Sequence, residues 1–146
     1  MSKEEINQIR NNKEVGQHII NMDKFNQVVL FDGIGKGQCR PTDYDSVLEL
    51  DNHYWFAFEV KGEGKGMPYG QSLSYTRTAD KWYQCGDISY VFVVEHNEED
   101  PSKPIMLKDC VIADVYHEGT WTKAKNNLSV KQGIEYLKKK YNITKI

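Results

Sequence analysis

The run Tyr54–Lys61, YWFAFEVK, constrains this chain more than any other stretch. Apart from Glu59, every residue from Tyr54 to Val60 is apolar or aromatic on both faces. A strand of that kind belongs in the middle of a sheet covered on both sides. Its end is unusual. Glu59 and Lys61 are two residues apart, so they point to the same face. An ionised carboxylate in such a strand is costly unless it is paired. A Glu59–Lys61 ion pair would satisfy that requirement. It does not explain why two more acids, Asp43 and Asp45, lie just upstream.

The segment before this run supplies a partner strand. Asp45–Leu50 and Tyr54–Lys61 are separated by Asp51, Asn52 and His53, which are turn-forming residues. Strands joined by so short a turn are antiparallel. If all three residues form the turn, Leu50 faces Tyr54, Asp45 faces Glu59 and Asp43 faces Lys61. Directly opposed side chains share a face, with Cβ atoms about 5 Å apart. A two-residue turn would set Tyr44 opposite Glu59 and part the acids, so joining them needs an odd-length turn or a bulge.

Periodicity and end signals organise the rest. Residues 2–24 are expected to form a helix, capped by Ser2 with Glu5 as its capping-box partner. Asn26–Phe31 reads as a short strand. Gly33, Gly35 and Gly37 follow without the order or the downstream helix of a phosphate loop, and so imply a plain turn. After the loop Gly62–Gly66, Pro68 opens a helix expected to reach Trp82. Ile88–Glu95 is a strongly apolar strand, parallel to Tyr54–Lys61 because a helix connects them. Asn97–Pro104 is polar loop, and Met106–Tyr116 reads as strand. Ser129, with Gln132 three residues on, starts a last helix whose apolar face is Val130, Ile134, Leu137 and Tyr141. Lys138, Lys139 and Lys140 match its C-terminal dipole. The expected fold is α/β: residues 1–146 as a single domain with a mixed central sheet flanked by helices.

Composition narrows the function classes. The chain has 146 residues and a formal net charge of −2, which is not the footprint of a protein that coats nucleic acid by charge alone. Its three cysteines show no C-x-x-C spacing, which points to reduced thiols in a cytoplasm and not to a disulfide framework or a zinc site. No apolar run approaches the roughly 18 residues of a membrane span, and MSKEEINQIR lacks the apolar core of a signal peptide. The expectation is a cytoplasmic protein with no membrane partner.

Two acids with a lysine suit phosphodiester hydrolysis. Hard oxygen ligands select Mg²⁺ or Mn²⁺ over zinc. Such an ion polarises a phosphoryl oxygen and activates a bound water, and a lysine can steady that water or the charge developing on phosphate.

The constellation Asp45…Glu59-Val60-Lys61, in helix–strand–strand–strand–helix–strand order, resembles the PD-(D/E)xK nuclease superfamily. The wider match, RPTDYDSVLEL…FEVKGEGKGMPYGQSLSYTR over about residues 40–97, looks like its small phage-encoded members, related to VRR-type nucleases and Holliday-junction resolvases. The resemblance implies a restriction-endonuclease-like core and a Mg²⁺-dependent deoxyribonuclease. It implies Asp45 and Glu59 as metal ligands, Lys61 as the catalytic lysine and Gln71 as a further site residue. An acid of the first helix, Glu14 or Glu5, often joins such a cluster. The signature PD pair is missing: Pro41 is followed by Thr42-Asp43-Tyr44-Asp45, which leaves Asp43 as the alternative to Asp45. Tyr75, one helical turn from Gln71, either shares the site or packs on the sheet. His96 ends the strand parallel to the one bearing Glu59 and is a further candidate. Arg40, Lys65 and Arg77 are candidate nucleic-acid contacts. DNA is the implied partner, a host bacterial cytoplasm the implied location if the chain is phage-encoded, and a homodimer is suggested by the resolvases. The competing reading is a binding protein that keeps the nuclease fold without activity, for instance a phage protein directed at a host factor.

Overall fold

The computed structural model describes residues 42–146. The expected helix at 2–24, the strand at 26–31 and the glycine-rich stretch lie outside the described residues, as do Glu5, Glu14 and Arg40. The chain divides into two compact units. One comprises Thr42–Asn97 and Leu107–Ile146, and the elements below belong to it; the loop Glu98–Met106 belongs to the other.

Five strands form a mixed sheet in the order β1 (Ser46–Leu50), β2 (Tyr54–Gly62), β3 (Ile88–His96), β4 (Val111–His117) and β5 (Thr120–Lys123). Only β2 and β3 are parallel, as the helix between them requires; the other neighbours are antiparallel. The helices are α1 (Tyr69–Gln84) and α2 (Val130–Tyr141). The sheet is thus the expected α/β arrangement, mixed and flanked by helices.

The β1–β2 turn is the three-residue one. Leu50 pairs with Tyr54, Asp51 and Asn52 take positive φ of 55° and 53°, and the His53 amide donates to the Leu50 carbonyl at 3.0 Å. Asp and Asn accept this left-handed backbone more readily than most residues. The capping box on α2 also forms: Ser129 Oγ accepts from the Gln132 amide at 3.2 Å, and Gln132 Oε1 accepts from the Ser129 amide at 2.9 Å. α1 runs two residues past Trp82, and the chain leaves it through Gly86 at φ 86°.

The stretch expected to be continuous strand from Met106 is different. Leu107–Asp109 is a short 3-10 turn, and β4 begins only at Val111. The Cys110 amide donates back to the Leu107 carbonyl at 3.1 Å, which closes that turn before pairing starts. β5 had no counterpart in the sequence reading. It returns beside β4 through Glu118 and Gly119, both at positive φ, the geometry of a tight two-residue hairpin.

The two faces of the sheet bury different side chains. Trp55, Ala57 and Val91 pack with Tyr75 and Ala79 of α1. Phe56, Phe58, Phe92 and Val94 pack with Val130 and Leu137 of α2. Phe58 and Phe92 stack with ring centroids 5.2 Å apart. The strand alternation of β2 thus feeds two cores at once.

Candidate functional site

Glu59 is 2 % exposed, one of two buried polar or charged residues among those described. Its carboxylate is met by three donors. Lys61 Nζ lies 2.6 Å and Gln71 Nε2 2.7 Å from Oε1, and the Tyr75 hydroxyl donates to Oε2 at 2.5 Å. Lys61 Nζ also donates to Gln71 Oε1 at 3.1 Å, closing a ring of three side chains. Gln71 and Tyr75 reach Glu59 together because residues four apart stack on one side of a helix. Two elements therefore place the four groups: the end of β2 for the acid and the lysine, the first turns of α1 for the amide and the phenol.

Tyr75 is fully buried. Burial first, and then its hydrogen bond to Glu59 and the charge of that carboxylate, push its hydroxyl pKa well above the ordinary value. It therefore stays protonated at neutral pH and serves as a donor to Glu59. Its ring stacks on Tyr44 at 4.4 Å, and the Tyr44 hydroxyl is held by Ser74 Oγ at 2.8 Å and Thr78 Oγ1 at 3.2 Å. This ties the segment entering β1 to the helix face that holds Glu59.

Asp45 lies just outside β1 and is exposed. Ser46 pairs with Phe58, so the same register continued by one residue sets Asp45 opposite Glu59. Its Oδ2 accepts the Val60 amide at 2.8 Å, which caps the β2 backbone where β1 stops. Loss of water around the carboxylate raises its pKa despite that hydrogen bond. The charge of Glu59 adds to the rise, Lys61 opposes it and Asp43 contributes last. The two carboxylates therefore repel one another across the hairpin.

The other sequence candidates take varied places. Asp43 is exposed, and its charge is the last of the contributions that raise the Asp45 pKa. His96 pairs with Gly62, out of phase with Lys61 in the strand alternation, and its carbonyl accepts from the Glu63 amide at 3.0 Å. Lys65 is exposed on the loop after β2, its amide bonded to the Gly62 carbonyl at 3.1 Å and its side chain over Gly62. Arg77 is exposed on α1. Glu95 went unremarked in the sequence. It stands beside Lys61 in the parallel register, and Oε1 accepts the Gly64 amide at 3.3 Å, anchoring the loop that carries Lys65. The signal that could have found it is its position next to the last residue of a strand parallel to β2.

The residues present suit a hard divalent cation in their chemistry. Asp45 and Glu59 offer only oxygen, and their mutual repulsion is what a cation would relieve. Among the described residues no three or more His, Cys, Asp or Glu side chains gather as a metal-binding group. Two carboxylates would leave the remaining positions to water and substrate, a common arrangement for Mg²⁺.

No protein-family profile, curated protein or solved structure matches the chain. Among the described residues no helix is long and apolar enough to cross a membrane.

Proposed function

We propose that the chain is a metal-dependent phosphodiester hydrolase of the PD-(D/E)xK type, acting on DNA. The observation that carries this reading is the hairpin register that sets Asp45 opposite Glu59, beside a lysine and a glutamine bonded to the same buried carboxylate. In this reading Asp45 and Glu59 hold Mg²⁺ or Mn²⁺. When bound, the ion supplies Lewis acidity, lowering the pKa of a water and polarising a phosphoryl oxygen. Gln71 and Tyr75 hold the Glu59 carboxylate in one orientation. Lys61, only part-buried, can exchange its contact with Glu59 for the attacking water or the charge developing on phosphate.

A second reading rests on the same carboxylate. With three donors already around it, Glu59 is satisfied without any ion. This favours a nuclease-like fold kept for binding, in which Glu59 and Lys61 are a structural pair. Calorimetric titration with Mg²⁺ and Mn²⁺, run beside cleavage assays on linear and branched DNA, separates the two. The hydrolase reading expects millimolar or tighter ion binding and metal-dependent cleavage, both lost in Glu59→Gln. It further expects Lys61→Ala to keep ion binding while losing cleavage, since the lysine acts in the transition state. No ion binding and no cleavage by the unaltered chain would leave the structural pair.

A further inference from the structure

On the other side of the sheet, a cavity of about 250 Å³ lies between α2, the strands β3 and β4, and the segment 124–128. It is about half open to solvent, so a small molecule can enter it from the surface. Its floor is apolar, with Phe92, Ile112 and Leu137 among its walls. Its polar lining residues include Lys125 and Asn126, and none of the described residues lining it is acidic.

The fold holds the cavity open. The Ala124 amide donates to the Ala113 carbonyl, and the Ile112 amide to the Leu128 carbonyl, each at 2.9 Å. The segment 124–128 is thereby pinned to β4 at both ends and cannot fall inward as a free loop would. α2 is seated just as firmly. A Cβ at Gly133 would lie 2.5 Å from Ile112 Cδ1, so helix and strand already touch at that point. The Val130 amide bonds the Cys110 carbonyl at 2.9 Å and fixes the start of the helix. With both walls held, closing the void would break backbone hydrogen bonds.

We propose that this cavity is a ligand site for a small planar organic anion, its rings against Phe92 and Leu137 and its carboxylate or sulfonate at Lys125. Apolar cavities of about 150 Å³ take up benzene, so the present volume suits a two-ring system. The cation among the described lining residues, which include no acid, selects the sign of the substituent. The site is on the opposite face of the sheet from Glu59 and is independent of the hydrolase reading.

The test is calorimetric titration of the full chain with naphthalene-2-carboxylate and, as a neutral counterpart, naphthalene-2-carboxamide. The expected result is one saturable site for the carboxylate, with Kd on the order of 100 µM for a ligand of this size. Lys125→Glu should weaken the carboxylate about tenfold, the effect of reversing one exposed charge, and leave the carboxamide unchanged. Ala124→Trp should fill the space and abolish binding of both. Leu128→Trp, at a more exposed position in the lining, should do the same if the first variant fails to fold. Near-ultraviolet circular dichroism checks that each variant keeps fixed tertiary packing. Absence of saturable binding by the folded wild type would overturn the proposal, as would binding that neither tryptophan reduces or equal loss of both ligands in Lys125→Glu.

Discussion

The two faces of β2 use the same strand in opposite ways. Toward α2 the strand presents Phe56 and Phe58, which meet aromatic and aliphatic side chains and are held by dispersion and the removal of apolar surface from water. Toward α1 it presents Trp55, Ala57 and then Glu59, and that side is stitched by directional bonds. Besides the cluster at Glu59, Ser89 Oγ donates to the Ala79 carbonyl at 2.7 Å, and the Tyr116 hydroxyl to Asp80 Oδ1 at 2.7 Å. Every buried side-chain nitrogen and oxygen among the described residues has a hydrogen-bond partner. An apolar face tolerates any partner of fitting volume, whereas a bonded polar face fixes atoms in position, and chemistry needs the second kind.

The sharpest way to break this comparison is to damage the apolar face and ask whether the polar one notices. Phe56 is fully buried. Phe56→Ala should cost about 3–5 kcal/mol in denaturant unfolding, because it removes transfer energy and leaves a cavity. Any metal-dependent cleavage per folded molecule should be unchanged. Parallel loss of both would mean that the faces are coupled and that the contrast drawn here is too clean.

Glu59→Gln tests the polar face directly. Crowded acids alone would suggest that neutralising one of them relieves strain. The three donors around Glu59 reverse that expectation. A glutamine has one acceptor oxygen, so its NH₂ would face the phenol of Tyr75 or the cation of Lys61. Without divalent ions the variant should lose about 1–3 kcal/mol of stability, the cost of leaving a buried group unsatisfied. A variant as stable as wild type would show that repulsion between Asp45 and Glu59 dominates. Tyr75→Phe is the smaller version of the same test. It leaves the ring stacked on Tyr44 and removes one donor, for about 1–2 kcal/mol in thermal melts.

The smallest effect is expected at Asp45, and its sign depends on pH. The carboxyl holds its proton more tightly in the folded state than in the unfolded one. Its contribution therefore favours folding fully below the ordinary carboxylate pKa and is lost as pH rises through the raised folded value. Asp45→Asn keeps an oxygen for the Val60 amide and stays neutral. It should melt slightly higher than wild type at neutral pH, and the gap should close on acidification below the ordinary aspartate range. Added Mg²⁺ should narrow the gap from the other side by stabilising only the wild type. A gap independent of both pH and Mg²⁺ would argue against an acidic pair at this hairpin.

Much of the arrangement near Glu59 was legible beforehand because it rests on local rules. Turn residues at 51–53 located the hairpin, with the structure choosing the three-residue register over the two-residue one, and strand alternation put Glu59 and Lys61 on one face. The α2 capping box and the parallel pairing of β2 with β3 followed from equally short-range signals. β5 was missed because it is four residues long with no buried position; its cue was the Glu118-Gly119 turn and not hydrophobicity. The break between Leu107–Asp109 and β4 was missed because a 3-10 turn leaves little trace in an apolar-looking stretch.

By itself the sequence determined which residues could form strands, where the hairpin turned and that Glu59 and Lys61 share a face, but it allowed two turn lengths and so left open which acid meets Glu59. These follow from φ/ψ preferences and from side-chain periods of two and 3.6, which act over a few residues. Only the tertiary structure decided that Glu59 is surrounded by Lys61, Gln71 and Tyr75, and that Tyr44 braces the phenol from behind. The contacts from β2 to α1 span 10 to 16 residues of sequence and Tyr44 lies about 30 from its partners on α1, and all of them depend on the depth at which α1 settles onto the sheet. That depth is set by the volumes of Trp55, Ala57, Ala79 and Val91 packing together, a property of the assembled core that no single segment contains.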